Sequence, residues 1–408
     1  MFKNIKNQFP FFKKNPKIIY LDNASTTQKL NSVIKNITYI YKKYYSNCRS
    51  NHKFANKIEY LIYKTKYIIK NFINAKYLEE IFFTQNTTES LNIISKCLNF
   101  KLLKNIKCNK FLISFYEHNS NYLPWINFTK KFNLKLEYLP LNKKGFIDFL
   151  KLKQIIKKVK IISISYISNV FGIKLNIKKI SKLCKKFNII LILDCAQSIG
   201  DLKVNVQKYK IDFLVFSMHK IYGPEGVGIL YCKKKILKIM NKYNLGGGSI
   251  NSIINYKKHI VDYKSNFLGF EYGTRNNVNI ISSYKVFKFI YKYKLSNIQK
   301  YKFNLLKFCE YKLKQITNIK IYFEKIKKYS IISFNILNIS CFDINFFLNQ
   351  YNVFIRSGYH CSHLYFKKYN IKNGTIRLSF SIYNTIIDII KFIKILKFIL
   401  NKFFKKFI

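Results

Sequence analysis

The chain has 408 residues, 49% of them apolar, enough for two packed cores and too hydrophobic for a disordered protein. Its 74 Lys and Arg against 18 Asp and Glu give a formal charge of +56, yet the lysines run from Lys3 to Lys406 without gathering in an arm or patch. No base-stacking or groove-reading motif accompanies them, which argues against nucleic-acid binding as the function.

Lys, Asn, Ile, Phe and Tyr are enriched throughout while Gly, Pro and Trp are scarce, a bias toward residues with A/T-rich codons that reads as drift in an AT-biased genome. Any surviving Gly, Pro, Asp, Glu, His, Arg or Cys therefore stands out. The nine cysteines form no CxxC pair, which excludes a disulfide framework and a structural zinc site and suggests a reducing compartment. The N-terminus lacks the apolar core and cleavage site of a signal peptide, and no run of about 18 apolar residues free of charge occurs. The expectation is a protein that is neither secreted nor membrane-spanning. No metal site is expected.

In chain order, Leu30–Asn71 carries apolar residues at helical spacing on either side of a polar break at Asn47–His52. Glu80–Thr84 reads as a strand that runs into Gln85-Asn-Thr-Thr-Glu89, with a helix expected from Ser90 to about Leu98. A strand, a Thr-rich turn and a helix start make an anion site or a plain N-cap. Phe111–Phe115 and Ile161–Ile167 are further strands, ending at Glu117-His118 and at Ser168-Asn169, with a helix at Ile177–Lys186. Ile189–Leu193 ends at Asp194 and Gln197, Ile211–Phe216 ends at Ser217, His219 and Lys220, and Ile229–Cys232 follows a Gly-Pro-Glu-Gly turn.

Strands alternating with helices imply a mostly parallel sheet, whose ligands bind beyond the carboxyl ends of the strands. A long helical pattern over Val278–Lys314 marks the domain boundary, and the strands Ile331–Asn335, Val353–Arg356 and Ile376–Phe380 belong to a smaller α+β domain. The last helix, from Thr385, has Asp388, Lys391, Lys394, Lys397 and Lys402 along one side. Its Ile/Phe/Leu face is expected to dock on the small domain rather than on a membrane. The expected division is an N-terminal segment 1–19 packing on the small domain, a large domain 20–277 and a small domain 278–408.

Two constellations carry chemistry. Lys220 sits at a strand end beside Ser217, His219 and a glycine turn, and a desolvated or cation-crowded lysine amine forms Schiff bases. A heterocyclic cofactor bound as such an imine needs a carboxylate at its ring nitrogen, and Asp194 is the acid at the neighbouring strand end. Gln197 can share its side, and His118, ending another strand, can cover a flat ring and shuttle protons. A capping Asp and a buried structural His are the plainer alternatives. The second constellation is Arg356-Ser-Gly-Tyr-His-Cys361, followed by Arg377. Arginine grips a carboxylate at two points as lysine cannot. A cysteine beside His and Arg is a candidate nucleophile, because the thiolate form reacts.

With these residues in place the chain resembles the group II, Suf-type cysteine desulfurases, which are class V, fold type I enzymes of pyridoxal 5′-phosphate (PLP). The resemblance runs from Tyr20-Leu-Asp-Asn-Ala-Ser to Tyr383-Asn-Thr and is carried by EHNSNYLPW (117–125), ISNVFG (167–172), DCAQSIG (194–200), FSMHKIYGPEGVGILY (216–231), GGGS (246–249), FEYGTRN (270–276) and RSGYHC (356–361). It implies that Lys220 carries PLP as a Schiff base, that Asp194 pairs with the pyridinium nitrogen and Gln197 with the ring hydroxyl, and that His118 stacks on the ring. Thr87, Thr88, Ser217 and His219 would hold the phosphate, with Thr274 supplied by the partner of a homodimer. Arg377, with Asn169 and Arg356, would bind the carboxylate of L-cysteine, and Cys361 would take its sulfur.

A SufE-like acceptor and an iron–sulfur scaffold are the implied partners, in a bacterial or endosymbiont cytoplasm or the stroma of an organelle that encodes the protein. The chain departs from the family pattern at three places. Asn86 stands where a glycine is usual, and tolerates the backbone angles glycine marks; Cys48 stands for a histidine; and Ser362-His363-Leu364 follow Cys361 in a segment one residue longer. Selenocysteine lyase or cysteine-sulfinate desulfinase activity on the same fold is the alternative, and a basic scaffold or nucleic-acid-binding protein without catalysis a further one.

Overall fold

The computed structural model describes residues 2, 4–99, 108–241, 245–264 and 271–405, with side chains up to residue 402. Phe270, the first residue of the FEYGTRN stretch, lies outside the described residues.

Seven strands form the larger sheet in the order Ile81–Thr84, Gly228–Cys232, Phe213–Ser217, Ile190–Asp194, Val159–Ser165, Lys110–Ile113, Lys135–Tyr138. Gly228–Cys232 runs antiparallel to both of its neighbours, and every other adjacent pair is parallel. The central strands Val159–Ser165, Ile190–Asp194 and Phe213–Ser217 are buried at every residue. Burial on both faces is why they read as continuous apolar runs instead of alternating ones. In register, Ser165 stands opposite Asp194, and Asp194 opposite Val215. The polar residues at these strand ends therefore gather at one edge of the sheet, where open α/β sheets bind ligands. The fold is α/β, with the mostly parallel central sheet expected of fold type I PLP enzymes.

A second sheet is antiparallel throughout, in the order Ile319–Ile321, Ile331–Ile336, Thr375–Ser379, Arg356–Gly358. Its core of Leu305, Ile332, Phe334, Ile344, Leu378 and neighbours is closed by the last helix, Ile386–Lys405. Ile389, Phe392, Leu396 and Leu400 of that helix are buried there, while Lys391, Lys394, Lys397 and Lys402 are exposed. Asp388 leaves the lysine face: it is buried and pairs with Lys6 at 3.5 Å. The docked reading of this helix holds, and among the described residues no helix is long and apolar enough to cross a membrane.

The chain start ties the two sheets together. Ile19–Tyr20 pairs in parallel with Val353–Phe354 beside the small sheet, while Phe9 packs edge-on against Tyr222 and Tyr383.

Some boundaries differ from the sequence expectation. The helix expected from Ser90 begins at Thr87, because the Asn86 side chain caps it by accepting the Glu89 N–H at 2.9 Å. The pattern over Val278–Lys314 is two helices, Asn277–Tyr293 and Leu295–Lys314, separated by Lys294 at φ +59°. That left-handed residue turns the chain without disturbing the apolar periodicity, so the sequence shows no break.

Candidate active site

The site is assembled from strand ends. Asp194 is the last residue of its strand, is buried, and accepts the Ala196 N–H at 2.8 Å. Burial pushes its carboxyl up, countered by the Ala196 N–H and the Lys220 charge. Lys220 closes the short turn Met218–Lys220 after Phe213–Ser217. Burial lowers its amine to about 8, Asp194 opposing and Arg377 and Arg356 adding to the fall. A lysine so depressed is a usable nucleophile near neutral pH.

Beside them, the helix Thr87–Cys97 points its N-terminus at Ser217. The Thr87 N–H donates to Ser217 Oγ at 2.8 Å, the Thr87 and Ser217 hydroxyls are 2.7 Å apart, and the Thr88 hydroxyl is 2.7 Å from that of Ser120. Asn86 has φ −169°, an extended backbone open to any residue, so the glycine-like angles considered for it are not used. The close approach falls instead on Gly228 in the adjacent strand: a Cβ there would lie 2.4 Å from Thr84 Oγ1 and 2.6 Å from the Asn86 carbonyl carbon. Only glycine lets that strand pass under the turn.

His118 follows the strand Lys110–Ile113. Its Nδ1 accepts the Ser120 N–H at 3.1 Å, which places the ring proton on Nε2. Burial, then the charges of Lys220, Arg356 and Arg377, lower it to about 3, so it is a neutral imidazole. Behind it Glu117 is fully buried and takes bonds from Ser114, from Asn121 Nδ2 at 2.6 Å, and from Ser165 through N–H at 3.0 Å and Oγ at 2.6 Å. Burial nevertheless raises its carboxyl to about 7. His219 is likewise lowered to about 3, by burial and then by Lys220 and Lys29, and its Nδ1 lies 3.2 Å from Thr26 Oγ1.

His118, Asp194, Gln197, Thr87, Thr88, Ser217, His219 and Lys220 line one cavity of about 290 Å³. Asn169, Arg356, His360, Arg377, Ala24 and Ser25 also line its wall. Arg377 is not free: Nη1 donates to the Asn169 carbonyl at 2.9 Å, and Nη2 donates to Asp22 at 3.0 Å and Ser25 at 2.9 Å, leaving Nε buried without a partner. The Asn169 amide is engaged too, donating to the His360 carbonyl at 2.8 Å and accepting from Ser362 Oγ at 2.9 Å.

Cys361 lies outside the cavity lining, partly exposed, with its Sγ 3.4 Å from Arg356 Nη2. Both His360 and Cys361 adopt left-handed φ, +51° and +56°. Thr274 does not line its own chain's site. It borders a separate cavity of about 420 Å³ with Gln85, Glu89 and Tyr272.

Residues 19–392 match the aminotransferase class-V family. The chain is 35% identical over 409 residues to the "Probable cysteine desulfurase" of Borreliella burgdorferi, covering 98% of this chain and 96% of that protein. It is 34% identical over 411 residues to the "Cysteine desulfurase" of Wigglesworthia glossinidia brevipalpis, covering 99% and 98%. The apo structure of a cysteine desulfurase from Thermococcus onnurineus NA1 superposes with a TM-score of 0.90 at 29% identity, covering 98% of each chain.

The chain belongs to the class-V aminotransferase family, with the cysteine desulfurases.

Enzymes of this family use PLP, and the residues here fit it. The cavity joins a buried carboxylate, a lysine amine that makes no hydrogen bond among the described residues, a helix N-terminus with two threonine hydroxyls, and a neutral imidazole. Together these offer a partner for a cationic ring nitrogen, an amine for covalent attachment, and donors for a dianion.

Sequence reasoning assigned no role to Asp22, Ser25, Ser120 or Glu117. Asp22 and Ser25 do lie in the Tyr20–Ser25 stretch, and Glu117 directly precedes His118. The family departures also find places. Cys48 Sγ is 3.6 Å from both Arg275 Nη2 and Asn277 Nδ2, away from the cavity. Ser362 and His363 fasten the Cys361 loop, Ser362 to Asn169 and His363 Nδ1 to Asn119 Nδ2 at 3.0 Å.

Proposed function

We propose that the chain is a Suf-type cysteine desulfurase, converting L-cysteine to L-alanine and leaving the sulfur as a persulfide on Cys361. The observation that carries this reading is the seating of Cys361 Sγ against Arg356, at the rim of a cavity that holds Lys220 and Asp194. When bound, PLP supplies the electron sink for the substrate's Cα.

The chain's own residues have these parts. Lys220 would hold the cofactor covalently, and its amine, lowered to about 8, is suited to removing the substrate's Cα proton. Asp194 would partner the ring nitrogen, Gln197 the ring hydroxyl and His118 the ring face. Neutral His118 offers an Nε2 proton rather than a full charge. Thr87, Thr88, Ser217 and His219 would hold the phosphate, with Thr274 of a second copy completing the site in a homodimer. Arg377, fixed by Asp22 and the Asn169 carbonyl, binds the substrate carboxylate beside Arg356.

The Cys361 thiolate attacks the substrate sulfur. An S–S bond forms as the Cβ–S bond breaks with its electron pair going to Cβ; Cβ takes one proton and Lys220 returns to Cα the proton it removed, giving alanine. The persulfide then passes to a SufE-like acceptor and on to an iron–sulfur scaffold, in the cytoplasm or an organelle stroma.

The test is anaerobic incubation with PLP and cysteine, followed by mass spectrometry of the Cys361 peptide. A gain of about 32 Da is expected. Sulfur release at the parent rate by Cys361→Ser overturns the persulfide route. Faster turnover of selenocysteine or cysteine sulfinate by that variant than of cysteine by the parent reassigns the substrate.

A further inference from the structure

Arg356 and Arg377 stand directly opposite each other on adjacent antiparallel strands. Like charges in that relation repel, and Arg377 is only 1% exposed. One hydroxyl sits between them. Ser25 Oγ accepts from Arg377 Nη2 at 2.9 Å and from Arg356 Nη1 at 2.7 Å, and donates to Asp22 Oδ1 at 2.7 Å. A serine hydroxyl has one proton and two lone pairs, so these three bonds exhaust it. The remaining Nη of Arg356 reaches Cys361 Sγ at 3.4 Å. A continuous path of contacts therefore runs from Arg377 through Ser25 and Arg356 to the thiol, along the cavity wall.

We infer that Ser25 is a positioning residue that couples carboxylate capture at Arg377 to the placement of Cys361 through Arg356. The inference rests on the reading of Arg377 as the carboxylate site. Asp22 draws the Ser25 proton to one side, which turns both lone pairs toward the two guanidiniums and fixes their planes before substrate arrives. A carboxylate binding Arg377 meets a guanidinium whose plane Ser25 already holds, and any shift there changes what Ser25 offers Arg356. Without the hydroxyl the two cations lose their shared acceptor, and Arg356 is no longer held at the sulfur.

The experiment compares the full-length PLP-loaded parent with Ser25→Ala and Ser25→Thr. Two quantities are read: KM and kcat for cysteine, and, without substrate, the rate of Cys361 alkylation by iodoacetamide at pH 7, resolved by peptide mass spectrometry. Ser25→Ala is expected to raise KM about tenfold, the size of one charge-assisted hydrogen bond. It should also slow Cys361 alkylation about threefold as the cation leaves the thiol. Ser25→Thr, which keeps the hydroxyl, is expected to stay within about twofold of the parent in both. Parent-like values of both readouts in Ser25→Ala overturn the bridge, as does a Thr variant as impaired as Ala. Arg377→Ala separates the two readings: an unchanged KM there removes the carboxylate role of Arg377, while slowed alkylation in Ser25→Ala still supports the bridge.

Discussion

The backbone N–H of Asn119 donates to the carbonyl of Cys361 at 2.6 Å, so the loop after His118 holds the loop that bears the thiol. The Asn119 side chain adds a second fastening, to His363 at 3.0 Å. Two successive left-handed residues, His360 and Cys361, are thereby kept in a conformation that free chains seldom adopt.

This latch can be cut without deleting a side chain from the cavity. Asn119 opens a short helical turn, a position proline accepts, and His118 before it is already extended at φ −65°, ψ 148°. Asn119→Pro removes the donor to Cys361 and the amide to His363 together. Persulfide formation on Cys361 is expected to slow about tenfold, in line with losing the hydrogen bonds that hold a loop. The absorbance of bound PLP is expected to stay at the parent level. Loss of PLP absorbance instead would show that Asn119 supports the His118 loop rather than the Cys361 loop.

The depressed Lys220 amine makes cofactor loading pH-dependent. Attachment needs the neutral amine, whose fraction rises with pH up to a pKa of about 8 instead of the ordinary 10.5. The rate at which apoprotein takes up PLP covalently should therefore climb about tenfold per pH unit from pH 6 and level off near 8. The neighbours move the midpoint in opposite directions. Asp194→Ala removes an anion that raises the Lys220 pKa, so its midpoint shifts down; Arg377→Ala removes a cation that lowers it, so its midpoint shifts up. Stopped-flow absorbance across pH 6–10 checks both signs, and a parent rate still rising steeply above pH 9 contradicts the burial argument.

The excess of positive charge should make stability rise with salt. Of the chain's few acids, Glu271, Asp201 and Glu310 are buried against Lys66, Lys302 and Lys328 at 2.8, 2.7 and 2.6 Å. Buried pairs of this kind are little affected by added ions, whereas repulsion among exposed lysines is screened within about 10 Å at 0.1 M ionic strength. Raising sodium chloride from about 0.05 to 0.3 M is expected to raise Tm by about 3 °C or more, read by calorimetry in a buffer free of sulfate and phosphate. A falling Tm would show that exposed ion pairs outweigh the repulsion.

The mostly parallel sheet, its buried central strands, and the placement of Asp194 and Lys220 at neighbouring strand ends were legible in the sequence, whereas the edge strand Lys135–Tyr138 and the break at Lys294 were not. Buried parallel strands must be continuous apolar runs, and chemistry placed at their ends interrupts those runs visibly. The compositional bias helped, because the scarce residue types marked the site. What stayed hidden was every relation across the chain. Arg377 reads as a free carboxylate ligand in sequence, yet Asp22 and Ser25, more than 350 positions away, already occupy part of its guanidinium. Asn86 has an extended backbone that needs no glycine, while the close approach of two backbones at this turn falls on Gly228.

Local pattern follows from burial and periodicity, which the sequence carries residue by residue. Which lone pair on Ser25 meets which arginine depends on the register Arg356–Arg377 and on the chain's return through Asp22, and only the packed tertiary structure sets those. The sequence placed a lysine and an acid at neighbouring strand ends and a cysteine between two arginines; the fold decided how those arginines are held.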